Sequence, residues 1–180
     1  YLIVDEAHAI GVFGKNGKGL CNELQIEEKC FARVYTFGKA MGCHGAVVVG
    51  NEALRNYLIN FARSFIYTTA LPDYSIANIA AAYQLLISGA QQEKLKENIN
   101  YFLQGAKNVT SLINSKSAIQ CIVVKGNTKV TEIEKQLLNK GVLVKAVKSP
   151  TVKEGSERIR VCLHSFNTKE EINNLINLLQ

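Results

Sequence analysis

The stretch "YLIVDEAHAIGVFGKNGKG" at residues 1–19 constrains the fold more than any other part of this chain. Leu2 to Val4 is a short uninterrupted apolar run, the pattern of a buried strand in a parallel sheet whose two faces are both covered. The run ends in an acid, Asp5, and enters a loop punctuated by Gly11, Gly14, Gly17 and Gly19, which is turn chemistry. The C-terminal ends of parallel strands are where α/β proteins place polar residues. Tyr1 already stands inside the strand pattern, so the sequence is expected to be the C-terminal part of something longer.

The rest of the chain supports an α/β reading. "ARVYTF" predicts a second strand that runs into "GKAMGCHG", and "AVVVG" a third. "NEALRNYLINFARS" has helical spacing, with Leu54, Leu58 and Phe61 on one face. "FIYTTALP" reads as another short strand closed by Pro72. Residues 73–88 and 91–113 read as two helices, the second amphipathic through Leu95, Ile99, Phe102, Leu103 and Ala106.

The character changes near residue 115, where "IQCIVVK" predicts a strand. Thr131 with Glu134 predicts a capping box for a helix that runs to Lys140 and is stopped by Gly141. "VLVKAV" is the next strand, and "RIRVCLH" alternates, with Ile159, Val161 and Leu163 on one face and Arg158, Arg160 and Cys162 on the other. Thr168 and Glu171 cap the last helix. That order, β-α-β-β-α, is a small α/β layer distinct from what precedes it. Two domains are expected, residues 1–90 and 91–180, with the boundary inside 85–115.

Composition narrows the function classes. Hydrophobic residues make up 47% and charged residues 20%, the balance of an ordinary soluble protein. No apolar run approaches the roughly 18 residues of a membrane span, so no membrane partner is expected. Cys21, Cys30, Cys43, Cys121 and Cys162 form no C-x-x-C pair, and three scattered histidines add no structural zinc pattern. Scattered thiols suit a reducing compartment, and a cytoplasmic protein is expected. The formal charge of +6 suits an acidic partner or a polyphosphate-bearing cofactor such as coenzyme A. No Arg/Lys stripe with interleaved aromatics accompanies it, so no nucleic-acid partner is expected.

Two chemistries compete for the opening stretch. Asp-Glu-Ala-His after a strand is how a helicase holds Mg²⁺-ATP, but that use needs a G-x-x-x-x-G-K-[ST] loop. Gly17-Lys18 comes closest, with Val12 and Gly19 where Gly and Ser/Thr would stand. "TFGKAMG" also occupies the region where a Ser-Ala-Thr type motif is expected, which leaves a DEAH-type helicase fragment as a remote alternative. Pyridoxal phosphate instead asks for a lysine to form a Schiff base, an acid to keep the pyridine nitrogen protonated, and donors for the phosphate. Lys39, in a Gly-Lys-Ala-Met-Gly turn after a strand, is the candidate lysine. Asp5 is the candidate acid, His8 a candidate contact for the ring's phenolic oxygen, and Thr36 a candidate phosphate donor.

"DEAHAIGVFGKNGKG", "TFGKAMGCHGA", "FIYTTALP" and "SPTVKEGSERIRVCLHSFNT", in this order, resemble the α-oxoamine synthases, and the resemblance spans essentially the whole chain. These pyridoxal-5′-phosphate enzymes condense an amino acid with an acyl thioester and release CO₂. The resemblance implies an α/β chain of fold type I: the C-terminal part of the large cofactor-binding domain, then a small C-terminal α/β domain. It makes Lys39 the cofactor lysine, Asp5 the pyridine-nitrogen partner, His8 a ring-oxygen contact and Thr36 a phosphate ligand. Thr68 or Thr69 would reach the phosphate of a neighbouring subunit's cofactor in a homodimer. Arg160 would bind the amino-acid carboxylate, where a bidentate guanidinium suits a planar anion, and Thr151 would line the substrate site. The last motif points within the family to L-alanine and a pimeloyl thioester as substrates. Sister members use glycine with acetyl- or succinyl-CoA, or serine with a long acyl-CoA. The chain departs from the family pattern in "SPTVK" and in Glu6 after the acid, and the 180 residues alone are expected to be inactive.

Overall fold

Apolar runs from two places in the sequence meet as parallel neighbours. β1 (Ile3–Asp5) lies beside β2 (Ala32–Thr36), with Ile3 opposite Ala32 and Asp5 opposite Val34. A parallel pair cannot be closed by a tight turn and needs a long crossover. Here the crossover is the glycine loop with the short helix α1 (Leu20–Glu23). β3 (Ala46–Gly50) then returns antiparallel to β2, giving the order β1-β2-β3. The computed structural model describes residues 1–180, which divide into two units, Tyr1–Gln92 and Glu93–Gln180.

In the first unit, the buried side chains of Ile10, Tyr35, Phe37 and Met41 form a core. Ile79, Ala82 and Leu86 of α3 (Asp73–Ile87) close it from one side. α2 (Glu52–Phe61) starts where the Asn51 side chain accepts from Leu54 N–H at 2.8 Å, one of the orphan donors that a helix start leaves.

Two expectations fail in this unit. β1 is an edge strand rather than a buried one, with Ile3 62% exposed, because only β2 flanks it. "FIYTTALP" is no strand. Phe65 and Ile66 N–H both bond the Ala62 carbonyl, Thr68 N–H bonds Phe65, and Tyr67 takes a φ of 60°, so the segment coils in successive turns. α2 has the expected helical spacing, with Leu54 and Leu58 half-buried on the face that Phe61 ends; Phe61 is exposed and its ring sits 4.9 Å from that of Tyr57.

The second unit is built on the sheet order β4-β6-β5, with β4 (Ile119–Val123) and β5 (Lys145–Val147) both antiparallel to β6 (Arg158–Cys162). The alternation in β6 is as expected. Ile159, Val161 and Leu163 are buried, while Arg160 and Cys162 face solvent. α5 (Asn127–Asn139) contributes Val130 and Leu137 to the core, α6 (Lys169–Leu179) contributes Ile172, Leu175 and Ile176, and α4 (Ala90–Gly105) contributes Ile99 and Phe102. Thr168 and Glu171 form the expected capping box. After α5, Gly141 at φ 80° lets its N–H reach Leu138 and Val142 N–H reach Leu137, a paired bond pattern that ends the helix.

Two expectations fail here. α4 stops at Gly105 and not near 113. Ile113 N–H bonds Cys121 and Val123 N–H bonds Ser111, so the apolar residues that extend the helical period instead cover the free edge of β4. Thr131 and Glu134 form no capping box, because α5 begins four residues earlier. Thr131 Oγ1 bonds back to the Asn127 carbonyl, and Glu134 Oε1 accepts from Ala146 N–H at 2.9 Å.

Glu157 holds the loops at one end of this sheet. Its buried Oε2 accepts from Gly126 N–H at 2.9 Å and Gly155 N–H at 3.0 Å, which holds the carboxyl below the usual glutamate range. A carboxyl whose pKa is lowered on folding stabilises the fold above its unfolded value, about 4.3, and that contribution is lost as pH falls through the lowered native value. We expect Glu157→Gln to flatten the acid limb of the stability profile below about pH 4.3, read by denaturant midpoints at successive pH values. An unchanged acid limb would contradict this role.

Candidate functional site

The parallel pairing brings the ends of β1 and β2 to one edge of the first sheet. Asp5 closes β1 and Thr36 closes β2, and each strand leads straight into the segment that carries the next candidate. His8 follows Asp5 by three residues and is exposed. Lys39 follows Thr36 by three residues in a turn held by Cys43 N–H to the Phe37 carbonyl at 2.7 Å and Gly42 N–H to the Lys39 carbonyl at 3.0 Å. Buried Phe37 and Met41 anchor the turn on either side, leaving Lys39 exposed between them. Gly11 makes the glycine loop and this turn neighbours. A Cβ there would come within 3.1 Å of Ala40 Cβ, and its φ of 79° is one that L side chains rarely adopt.

Asp5 is exposed and partly engaged, with Oδ1 accepting from Ala7 N–H at 2.8 Å. Thr36 differs. Its Oγ1 is buried and has no hydrogen-bond partner. A buried hydroxyl without a partner costs about 1–3 kcal/mol, and such orphans in a native fold call for an explanation. An acid, an amine and an orphan donor at one strand edge suit a ligand that carries both an anionic group and a protonatable ring.

The other sequence candidates are carried by other segments of the chain. Thr68 and Thr69 are exposed in the coil before α3, and Thr68 Oγ1 already donates to the Phe65 carbonyl at 2.6 Å. Thr151 and Arg160 belong to the second unit, where both are exposed. Arg160 stands on the outer face of β6 opposite Lys145 on one side and Cys121 on the other. Lys145 lies 3.5 Å from Glu134, while Arg160 makes no ion pair.

Glu6 is the residue that sequence reasoning passed over. It is 1% exposed, and its carboxylate accepts from Leu20 N–H at 2.8 Å and Cys21 N–H at 2.7 Å, while its own N–H bonds the Val34 carbonyl. The far end of the glycine loop is thereby tied to the residue next to Asp5. A detectable signal existed: an acid on the opposite face from Asp5, among the apolar Ala7, Ala9 and Ile10, has nowhere to go but inward.

Two outcomes follow from this geometry. Gly19 has a φ of 112°, and a Cβ there would meet the Glu6 carboxyl at 2.9 Å, so Gly19→Ala should cost about 3 kcal/mol or more. Gly42→Ala, at φ 63° with open space around it, should cost only about 1–2 kcal/mol. Denaturant unfolding compares the two, and equal losses would contradict the clasp. Thr36→Val removes the orphan hydroxyl, so the ligand-free protein should keep its stability or gain up to about 1–3 kcal/mol. A marked loss would mean that the hydroxyl has a partner.

Known proteins resemble this chain along its whole length. The profile of the family described as aminotransferase class I and II matches residues 1–179. An 8-amino-7-oxononanoate synthase of Emericella nidulans is 42% identical over 190 residues, which cover 99% of this chain and 45% of that protein. The crystal structure of an 8-amino-7-oxononanoate synthase from Francisella tularensis superposes with a TM-score of 0.87 at 34% identity, covering 99% of this chain and 53% of that one. A serine palmitoyltransferase solved with its PLP internal aldimine superposes with a TM-score of 0.89 at 25% identity, covering 98% of this chain and 46% of that one. The chain thus spans about half the length of the relatives it matches. With the family profile matched over residues 1–179, the chain belongs to the aminotransferase class I and II family.

Proposed function

We propose that this chain is the cofactor-lysine-bearing part of an 8-amino-7-oxononanoate synthase, which condenses L-alanine with a pimeloyl thioester and releases CO₂. The observation that carries the reading is the buried, unpartnered Thr36 hydroxyl at the end of β2, beside the strand that ends in Asp5 and three residues before Lys39. Those residues fit pyridoxal 5′-phosphate, since the unpartnered Thr36 hydroxyl lacks the acceptor that a phosphate oxygen would supply. When bound, the cofactor supplies an electron sink for charge that develops at the amino acid's Cα. The 42% and 34% identities to proteins named for the alanine reaction, against 25% to a serine palmitoyltransferase, favour this member over its sisters.

The chain's own residues then take defined tasks. The Asp5 carboxylate holds the proton on the ring nitrogen by stabilising the adjacent positive charge. His8 meets the ring's phenolic oxygen, and the Thr36 hydroxyl donates to the phosphate. Lys39 is the point of covalent attachment. When not engaged by the cofactor, its free amine would take the amino acid's Cα proton as a general base. Arg160, which makes no ion pair in the structure, would hold the alanine carboxylate through two parallel N–H bonds. Thr151 lines the substrate site. Thr68 or Thr69 serves the phosphate of a second subunit's cofactor in a homodimer. The five free thiols suit a reducing compartment, and we place the enzyme in the cytoplasm. Residues 1–90 belong on this reading to the large cofactor-binding domain, and 91–180 to the linking helix and small domain.

The test uses the full-length protein loaded with pyridoxal 5′-phosphate, reduced with borohydride and digested with trypsin. Modification of Lys39 blocks cleavage there, so the pyridoxyl group should appear on a peptide spanning Val34–Arg55. Lys39→Ala should lower turnover of alanine and pimeloyl-CoA by at least about a hundredfold. Label on another lysine would refute the assignment, and faster turnover with glycine or serine than with alanine would move the protein to a sister activity.

A further inference from the structure

Cys21 and Cys30 are nine positions apart in sequence, yet the crossover folds them together. Their sulfurs lie 3.7 Å apart, and Cys30 Sγ is also 3.3 Å from the Ile26 carbonyl. The other three cysteines have no such partner within hydrogen-bond reach. The two thiols differ in what can reach them. Cys21 is 1% exposed and packed beneath the glycine loop, whereas Cys30 is half-buried at the entry to β2. Burial, together with the adjoining Glu6 carboxylate and Cys30, pushes the Cys21 thiol up to about 12. Cys21 therefore stays protonated at neutral pH and is shielded from a first attack, so oxidation of this pair begins at Cys30.

We propose that Cys30 and Cys21 form a thiol-oxidation site that responds to hydroperoxides, with Cys30 as the attacking sulfur and Cys21 as the resolving one. The inference rests on the positions of the sulfurs and not on the proposed catalytic reading. In the first step the Cys30 thiolate attacks the outer oxygen of a hydroperoxide and breaks the O–O bond. The Cys30 sulfur becomes a sulfenic acid, and the peroxide leaves as an alcohol or as water. In the second step Cys21 Sγ attacks the Cys30 sulfur and displaces hydroxide, which leaves as water with the Cys21 thiol proton. The Glu6 carboxylate, bonded to Cys21 N–H at 2.7 Å, stands beside that proton to relay it. Two thiols lose two electrons in all, and one peroxide gains them. The bond closes a ring through α1 and the turn at Glu27–Lys29, fastening the start of α1 to the residues that lead into β2. In a reducing compartment such a bond is transient and reversible by thiols.

The full-length reduced protein treated with one equivalent of hydrogen peroxide tests this. Trypsin cuts after Lys18, Lys29 and Arg33, which places Cys21 on peptide 19–29 and Cys30 on peptide 30–33. The expected result is a cross-link between those two peptides, lighter than their sum by two hydrogens and abolished by dithiothreitol. Cys30→Ser should leave Cys21 unoxidised. Cys21→Ser should leave a Cys30 sulfenic acid that dimedone labels. Three results would each overturn the proposal: a cross-link to another cysteine, a Cys30 that runs on to sulfinic acid while Cys21 stays free, or a Cys30 thiol untouched by peroxide. The wild-type cross-link decides the matter even if the Cys21→Ser protein folds poorly.

Discussion

The clasp of Glu6 on the amides of Leu20 and Cys21 is the interaction on which the first unit depends. A buried carboxylate is costly to desolvate, and two charge-assisted hydrogen bonds from backbone N–H groups offset that cost only when the donors are held in place. Those donors sit on a loop that must fold back across 14 residues to meet them. Glycine at position 19 makes the approach possible because any side chain would collide with the carboxyl. Removing the acid would leave two buried amides unpaired, and restoring bulk at Gly19 would force the acid outward. Either way Asp5, the residue before Glu6, would lose the scaffold that fixes its direction.

The second unit solves its loop problem in the same way. Glu157 receives two glycine amides from segments 29 residues apart, Gly126 and Gly155, just as Glu6 receives two from the helix start. Both acids sit next to a strand, so each converts the rigidity of a sheet into the rigidity of a loop. The first such loop borders the edge bearing Asp5 and Thr36, and the second borders β6, which bears Arg160. Apart from Thr36, whose hydroxyl is buried, the residues proposed to touch cofactor and substrate are exposed and lightly bonded. Their positioning comes from neighbours that do no chemistry.

Much of this was legible in the residues. The alternation of Ile159, Val161 and Leu163 against Arg160 and Cys162 set the faces of β6, because a period of two leaves a strand no choice once one face is buried. The capping box at Thr168 and Glu171 was equally plain, since both partners lie within one helical turn. The same pattern at Thr131 and Glu134 misled, because Glu134 had a stronger use in accepting from Ala146. "FIYTTALP" misled as well, since β-branched and aromatic residues describe a strand only when a neighbouring strand is there to pair. The site was legible as a set of types at strand ends, while the Glu6 clasp and the Cys21–Cys30 contact were not. Both join residues through a crossover whose path no local pattern encodes.

On the proposed reading, the C-terminal ends of β1 and β2 receive pyridoxal 5′-phosphate while Glu6 fastens the amides of Leu20 and Cys21. A crystal structure of the full-length protein with that cofactor tests the claim directly. The account predicts the cofactor joined to Lys39, the Asp5 carboxylate at the ring nitrogen, the Thr36 hydroxyl on a phosphate oxygen, and Glu6 still closed on the Leu20 and Cys21 amides. A cofactor bound away from this edge, or a Glu6 side chain turned to solvent beside a bound cofactor, would contradict it.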